Sequence, residues 1–262
     1  MSTLTEVSMY EDDRGNRIIS PTTFTQNVRV DFKGSNNTLI VDPTAKIASL
    51  RARFDCDNGV LELGGKSPHR GALRADARVG QDSSIRIGKN VTTTKLCILV
   101  AVEGTSLTLG DDVMIASDVE IRTDDAHPIF DVESGRRINW SQDVHIGNHV
   151  WIANRAIIRP GTSIGNGSVV GMNSLVKGKF PNNCIIAGTP ARVVRRNVAW
   201  ERPHLSNSKP FYKPDASTVK KSGYWNPTED EARPVATTLK PWARIKRRAR
   251  HHRRQLAGLL RN

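Results

Sequence analysis

An aliphatic residue recurs at every sixth position between residues 146 and 181: Ile146, Ile152, Ile158, Ile164, Val170 and Val176. The fourth residue after each is Val150, Ala156, Thr162, Ser168, Ser174 and Phe180, mostly small or β-branched. An earlier block keeps the same internal phase at Leu109, Ile115 and Ile121, accompanied by Val113, Val119 and Asp125. Weaker hexads occur around Val41–Ile47 and Ile85–Val91. A period of six is neither the 3.6 of an amphipathic helix nor the plain 2 of a lone strand. It predicts a triangular solenoid in which each hexad is one short flat strand and a corner, with three hexads to a coil of about 18 residues. Ile146 then stacks on Ile164, Ile152 on Val170 and Ile158 on Val176, with the aliphatic side chains inward. Adjacent coils would share parallel-sheet hydrogen bonds at a strand spacing of about 4.8 Å. Gly147, Gly161, Gly165, Gly167 and Gly171 are expected at corners that need permissive backbone angles. Gly165-Asn-Gly167 followed by Gly171 lacks the spacing of a dinucleotide loop and precedes no helix, so it belongs to the repeat.

The pattern breaks between Asp124 and Asp143. A solenoid accepts an insertion at a corner, because the loop projects without breaking the stack. Such loops more often carry function than stability. This one contains His127 beside Pro128, which stiffens the chain locally.

The hexads, the segment Asp125-Ala-His127-Pro-Ile-Phe-Asp131, the turn Gly135-Arg-Arg-Ile-Asn139, the run from Ile146 to Trp151 and the ending Ile186-Ala-Gly188-Thr-Pro190-Ala-Arg192-Val-Val-Arg195 resemble the hexapeptide-repeat O-acetyltransferases. Within that superfamily the chain looks most like bacterial capsule and polysaccharide O-acetyltransferases, with galactoside and xenobiotic acetyltransferases as wider relatives. The resemblance is strong over residues 105–196 and looser over 27–104, where Gly34 to Val41 looks like a first coil. It does not reach residues 197–262. It implies an all-β, left-handed parallel β-helix over 27–196, a projecting loop 124–145, an N-terminal extension 1–26 and assembly as a homotrimer. It also implies acetyl-CoA as co-substrate in a groove between subunits, with no metal. His127 matches the family's catalytic histidine, and Trp151 the tryptophan that lines the donor and acceptor pocket 24 residues later. Trp140 stands where these enzymes often have proline and would face the acceptor with Asp125.

Acyl transfer to a hydroxyl requires a base to take a proton from a weak nucleophile. An imidazole with an ordinary pKa of about 6.5 suits that task near neutrality. The alternative for His127 is a surface histidine in a polar loop. Asp124 and Asp125 either orient the ring or face water, and the sequence favours water. For the donor, Ala153 and Gly171 allow close approach to the backbone and Asn154 offers a hydrogen bond to the pantetheine arm. Lys177, Lys179, Arg192 and Arg195 supply charge for its phosphates, unless they are solvated surface charges. Backbone amides would polarise the thioester oxygen.

The competing metal reading takes His127, His145 and His149 as zinc ligands, as in γ-class carbonic anhydrases on the same kind of helix. A non-catalytic trimeric scaffold that binds glycan or membrane is the third possibility. The leading expectation is an acetyl-CoA-dependent O-acetyltransferase acting on a sugar or cell-surface polysaccharide.

Charge adds one more feature. The net charge is +13 over 262 residues. Residues 197–262 hold 15 Lys and Arg against 5 Asp and Glu, so the basic character belongs to the tail and not to the body. After Arg196 the prolines at 203, 210, 214, 227 and 234 predict a linker or a wrapping extension, with Trp200, Tyr212, Tyr224 and Trp225 packing in part. An amphipathic helix is expected over 241–257, with Trp242, Ile245, Ala249 and Leu256 on one face among arginines and lysines. Such a helix suits an anionic membrane surface, a solvated basic tail being the alternative; nucleic acid is disfavoured because no recognition fold accompanies the charge. Cys56, Cys97 and Cys184 are widely spaced and expected to be reduced, in a cytoplasmic protein lacking a visible signal peptide.

Overall fold

The computed structural model describes residues 1–65, 71–207 and 209–229. The helix expected over 241–257 lies outside the described residues. Among them there is only one short helical turn, Leu205–Asn207, and no helix long and apolar enough to cross a membrane.

The strands form three sheets of eight, six and nine strands, paired in parallel from coil to coil. This is the expected β-solenoid. Its register follows the hexads: Ile146 pairs with Ile164, Ile152 with Val170 and Ile158 with Val176. All six of these aliphatic side chains are fully buried, and the accompanying Ala156, Thr162, Ser168 and Ser174 are buried at the corners. Each buried aliphatic side chain contributes about 1.5–3 kcal/mol, repeated along a narrow column that needs few aromatics.

The first half is built differently. There the coil is wider: Leu39 pairs with Leu61, and Ile85 with Leu107, a repeat of 22 residues. The strands Ile47–Phe54 and Leu73–Val79 run to 8 and 7 residues, against 2 for Ile157–Ile158. Their signature is period two: Leu50, Ala52 and Phe54, then Leu73, Ala75, Ala77 and Val79, are all buried. Phe32 and Phe54 stack at 4.9 Å and fill the wider interior. The sheet that begins at Thr92–Thr93 occurs only from the coil where the hexads take over.

Residues before 27 join the same sheets. Ser2–Leu4 pairs antiparallel with Val28–Phe32, and Arg17–Ile19 pairs in parallel with Thr38–Val41. At the other end Ala191–Arg196 folds back antiparallel on Cys184–Gly188. Antiparallel end strands stop the ladder from offering parallel partners to another chain.

Only Gly161 and Gly167 of the five expected corner glycines adopt positive φ, at 80° and 69°. Gly147 is needed for close approach instead, since a Cβ there would lie 2.5 Å from Asn166 Oδ1. The left-handed corners are mostly Asn and Asp, which tolerate that region better than other non-glycine residues. Asn90, Asp112, His149 and Asn183 form one such column, with φ between 49° and 62°. Each donates its amide to the coil before, as His149 does to Asp111 O at 2.8 Å.

Candidate active site

The insertion after Asp124 is a small hairpin. Phe130 and Arg137 bridge antiparallel, Ile138 N donates to Ile129 O at 2.9 Å, and Gly135 turns the chain at φ 66°. Arg137 anchors the hairpin to the solenoid by donating to Glu103 at 2.5 Å, and its guanidinium lies 4.9 Å from the Trp140 ring. Ser141 Oγ donates to the other Glu103 oxygen at 2.6 Å. This double contact draws the Glu103 carboxyl below the usual range, the Arg137 hydrogen bond contributing most. Trp140 is 64% exposed.

His127 stands at the base of the hairpin with an exposed side chain. Its backbone is held from two sides: its N–H donates to Asp125 O at 2.8 Å, and its carbonyl accepts from Asn139 Nδ2 at 2.9 Å. Asn139 Nδ2 also donates to Asp125 Oδ2 at 3.2 Å, while its Oδ1 accepts from Ile129 N at 2.7 Å. The other Asp125 oxygen pairs with Arg159. Asp124 is buried and accepts from Arg122 Nε at 3.1 Å and from Ala126 N at 2.8 Å. Asp124 is therefore buried rather than facing water, and Asp125, though partly exposed, is paired. Both are tied down, and they fix the backbone that presents the imidazole.

Trp151 points outward, 37% exposed, between Met114 and Val169 in the strand register. Beside that column runs a strip of small residues. Ala116, Ala153 and Gly171 donate their amides to successive coils, and a Cβ on Gly171 would lie 3.0 Å from that of Ala187. The strip ends at Arg192, which pairs with Ala187, and the Trp151 column ends at Arg195, opposite Ile185. Asn154 is exposed on the turn after Ala153. Lys177 follows the strand Leu175–Val176 and Lys179 lies opposite Ser163, so these two exposed cations belong to other faces. The four cations do not form one cluster within the chain.

The three histidines of the metal reading are not gathered either. His149 is buried, with Nδ1 2.5 Å from Asp112 Oδ2 and Nε2 3.0 Å from Trp200 O, so neither nitrogen is left to bind a metal. His145 lies on another sheet, half-buried, and burial lowers its pKa. Among the described residues no three His, Cys, Asp or Glu side chains sit together as a metal site would require.

The family described as bacterial transferase hexapeptide (six repeats) matches residues 143–178. A polysialic acid O-acetyltransferase of Neisseria meningitidis is 34% identical over 185 residues, taking in 70% of this chain and 84% of that protein. The chain belongs to the hexapeptide-repeat O-acetyltransferases. The acetyltransferase is also 34% identical over 130 residues to the polysialic acid O-acetyltransferase of Escherichia coli O1:K1, 50% of this chain but 42% of that protein. The solved structure of the polySia-specific acetyltransferase NeuO superposes with a TM-score of 0.62 at 31% identity, covering 75% of this chain and 91% of that one. The fold of this acetyltransferase is the left-handed parallel β-helix of its family.

Two of its site features went unread in the sequence. Arg159 reaches Asp125 because Ile121 pairs with Ile158, which sets Arg122 and Arg159 side by side on the outer face. That neighbour was legible once the insertion was subtracted from the repeat. Trp200 lies against Trp151, with ring centroids 6.1 Å apart. No repeat signal could have placed it there.

Proposed function

We propose that this acetyltransferase transfers an acetyl group from acetyl-CoA directly to a hydroxyl of a sugar or cell-surface polysaccharide, with His127 as general base. The observation that carries the reading is the exposed His127 imidazole on a backbone clamped by Asn139 and Asp125. Rigid placement of a base is worth far more than its presence, because proximity and orientation supply much of the rate. The names of the relatives, which act on polysialic acid, support a glycan acceptor.

Acetyl-CoA would supply an activated thioester, and the strip Ala116–Ala153–Gly171–Ala187 fits its pantetheine arm because no side chain there exceeds a methyl group. Arg192 and Arg195, at the end of that face, suit its phosphates, and Asn154 offers a hydrogen bond. Lys177 and Lys179, on other faces, would serve the site of a neighbouring subunit in a homotrimer. Trp151, Asp125 and Trp140 would border the acceptor. His127 then accepts the proton of the attacking hydroxyl as the new C–O bond forms, and backbone amides stabilise the charge on the carbonyl oxygen. Collapse breaks the C–S bond of the thioester, and the proton passes to the sulfur as CoA leaves as the free thiol. In this reading residues 27–196 are the catalytic domain, with loop 124–145. The enzyme works in the cytoplasm, the basic segment after Pro241 resting on the anionic inner face of the membrane.

The experiment is acetyl-CoA turnover, followed as thiol release, across a panel of sugars and glycans with wild type and His127→Ala. Acceptor-dependent release that falls by about 10²–10⁴ in the variant supports the base. Unchanged release removes His127 from that role.

A further inference from the structure

The segment after the solenoid turns back across its coils, touching those of Asn90, Asp112, His149 and Asn183. Arg202, with a side chain only 9% exposed, donates to Asp112 Oδ1 at 2.6 Å and Thr92 Oγ1 at 2.8 Å. It also donates to the carbonyls of Asn90 and Val113 at 3.0 and 3.2 Å. Further on, Asn183 Nδ2 donates to Val198 O at 3.0 Å, and Thr228 Oγ1 donates to Asn183 O at 2.7 Å. Between these fastenings the His149 ring lies in a sandwich, 4.2 Å from Trp200 on one side and 4.7 Å from Tyr224 on the other.

The protonation of that ring follows from its partners. Nδ1 faces the Asp112 carboxylate and Nε2 faces the Trp200 carbonyl, and both groups only accept hydrogen bonds. The imidazole satisfies both only as the doubly protonated cation. Stacking on two aromatic faces favours the same charge. Trp200 is also held by its own indole, which donates to His149 O at 3.0 Å. The outcome is a Trp200 ring fixed 6.1 Å from Trp151 and tilted by 44° to it.

We propose that residues 198–207 and 209–229 form a strap that is part of the active-site wall, and that the buried imidazolium of His149, with Asp112 and Arg202, positions Trp200 against Trp151. The three are positioning residues acting through Trp151, so the proposal rests on the reading that Trp151 borders the acceptor and donor pocket. It makes the strap a determinant of how the pocket fits its substrates.

The charged and titratable groups around the clasp come from both sides. From the solenoid these are Asp112 and Asp111; from the strap, Arg202, Glu201 and Tyr224. Burial works against the His149 charge, but the Asp112 hydrogen bond, the Trp200 carbonyl and the charges of Asp112 and Glu201 outweigh it, raising the imidazole pKa above the ordinary 6.5. Burial likewise works against the Asp112 charge, and its bonds to His149 and Arg202 hold its pKa below the ordinary 3.8. A raised histidine pKa means that the clasp is complete below 6.5 and is lost as pH climbs through the raised value.

The test uses the full chain. Two indoles this close and tilted couple their transitions, giving paired circular-dichroism bands that Trp151→Phe and Trp200→Phe should each abolish. In wild type the bands should be strong at mildly acidic pH and fade on the alkaline side. His149→Asn, suited to the φ of 52° at that corner, should lose the bands at every pH and with them the pH step. Arg202→Ala should weaken them, Tyr224→Phe should keep them, and the solenoid's own far-ultraviolet spectrum should survive in all. In the two weakened variants kcat/KM should fall about tenfold to hundredfold, the scale expected of a misplaced pocket wall. Bands that ignore pH in wild type and persist in His149→Asn overturn the clasp. Bands lost without change in kcat/KM overturn the wall. If His127→Ala retains full turnover, the underlying reading of the pocket fails instead, and the bands, which need no turnover, still judge the clasp.

Discussion

Asn139 reaches across the base of the hairpin and donates its amide to the carbonyl oxygen of His127 at 2.9 Å. The same side chain bonds Asp125 and Ile129 N, so one amide joins the two limbs of the loop around the histidine. Asn139→Ala should therefore lower kcat/KM by about 10²-fold while leaving the solenoid intact. Its loss of stability should stay within about 1–3 kcal/mol, the usual consequence of unmade hydrogen bonds. Steady-state kinetics beside thermal melting check this, and equal loss in both would mean that Asn139 only holds the fold.

Asp125 and Arg159 form an ion pair with both side chains 28% exposed. Partly solvated pairs contribute little to stability, up to about 1 kcal/mol. Asp125→Asn and Arg159→Ala should each reduce turnover about tenfold, and the double variant should be hardly worse than either. A double-mutant cycle in kcat/KM measures this directly. Fully additive losses would show that the two residues act separately.

Asp12 caps the first hairpin by accepting from Asn16 N at 2.9 Å, Asn16 Nδ2 at 2.9 Å and Arg14 N at 3.1 Å. Burial opposes its charge, yet these bonds and the Arg14 charge bring its pKa down to about 2, from 3.8. A depressed carboxylate stabilises above 3.8, and that contribution disappears as pH falls toward 2. Asp12→Asn should lower the melting midpoint at neutral pH, by about 1–2 kcal/mol of stability, the scale of hydrogen bonds to a charged group. Near pH 2 the wild type and variant should melt alike. A gap that persists at low pH would mean that the carboxylate charge is not what matters.

The three cysteines are free, and they differ in access. Cys97 is fully buried and its thiol is pushed up to about 12 by that burial, with Glu120 adding to the effect. Burial also raises the Cys184 thiol. Because the thiolate is the reactive form, a thiol reagent should label only Cys56 rapidly in the native protein. All three should react once the chain is unfolded. Rapid native labelling of Cys97 would show that its coil opens.

The hexads made the second half of the solenoid legible down to register, because each inward aliphatic position repeats whenever a coil closes. The first half was harder to read. Its 22-residue repeat hides in the period-two alternation of Leu50, Ala52 and Phe54 and of Leu73, Ala75, Ala77 and Val79. At the candidate site, His127, Asp125 and Trp151 were named from the chain, as a loop residue, its near neighbour and the tryptophan that the resemblance places in the pocket. Arg159 was not, although the register of Ile121 on Ile158 sets it beside Arg122; Asn139 was quoted only as part of a turn, because its bonds to Asp125 and His127 form only after the loop has folded.

By itself, then, the sequence determined what depends on local period: the solenoid, the aliphatic column within it and the place of the inserted loop. Only the tertiary structure decided what depends on chain segments returning from far away. His149 reads from the sequence as at most a metal-ligand candidate, until Trp200, 51 positions later, folds back to accept its hydrogen bond and cover its ring. Arg202 reaches back 110 residues to Thr92. No periodicity encodes such contacts, since they depend on where an irregular segment crosses stacked coils, and that is settled by the shape and charge of the surface it meets.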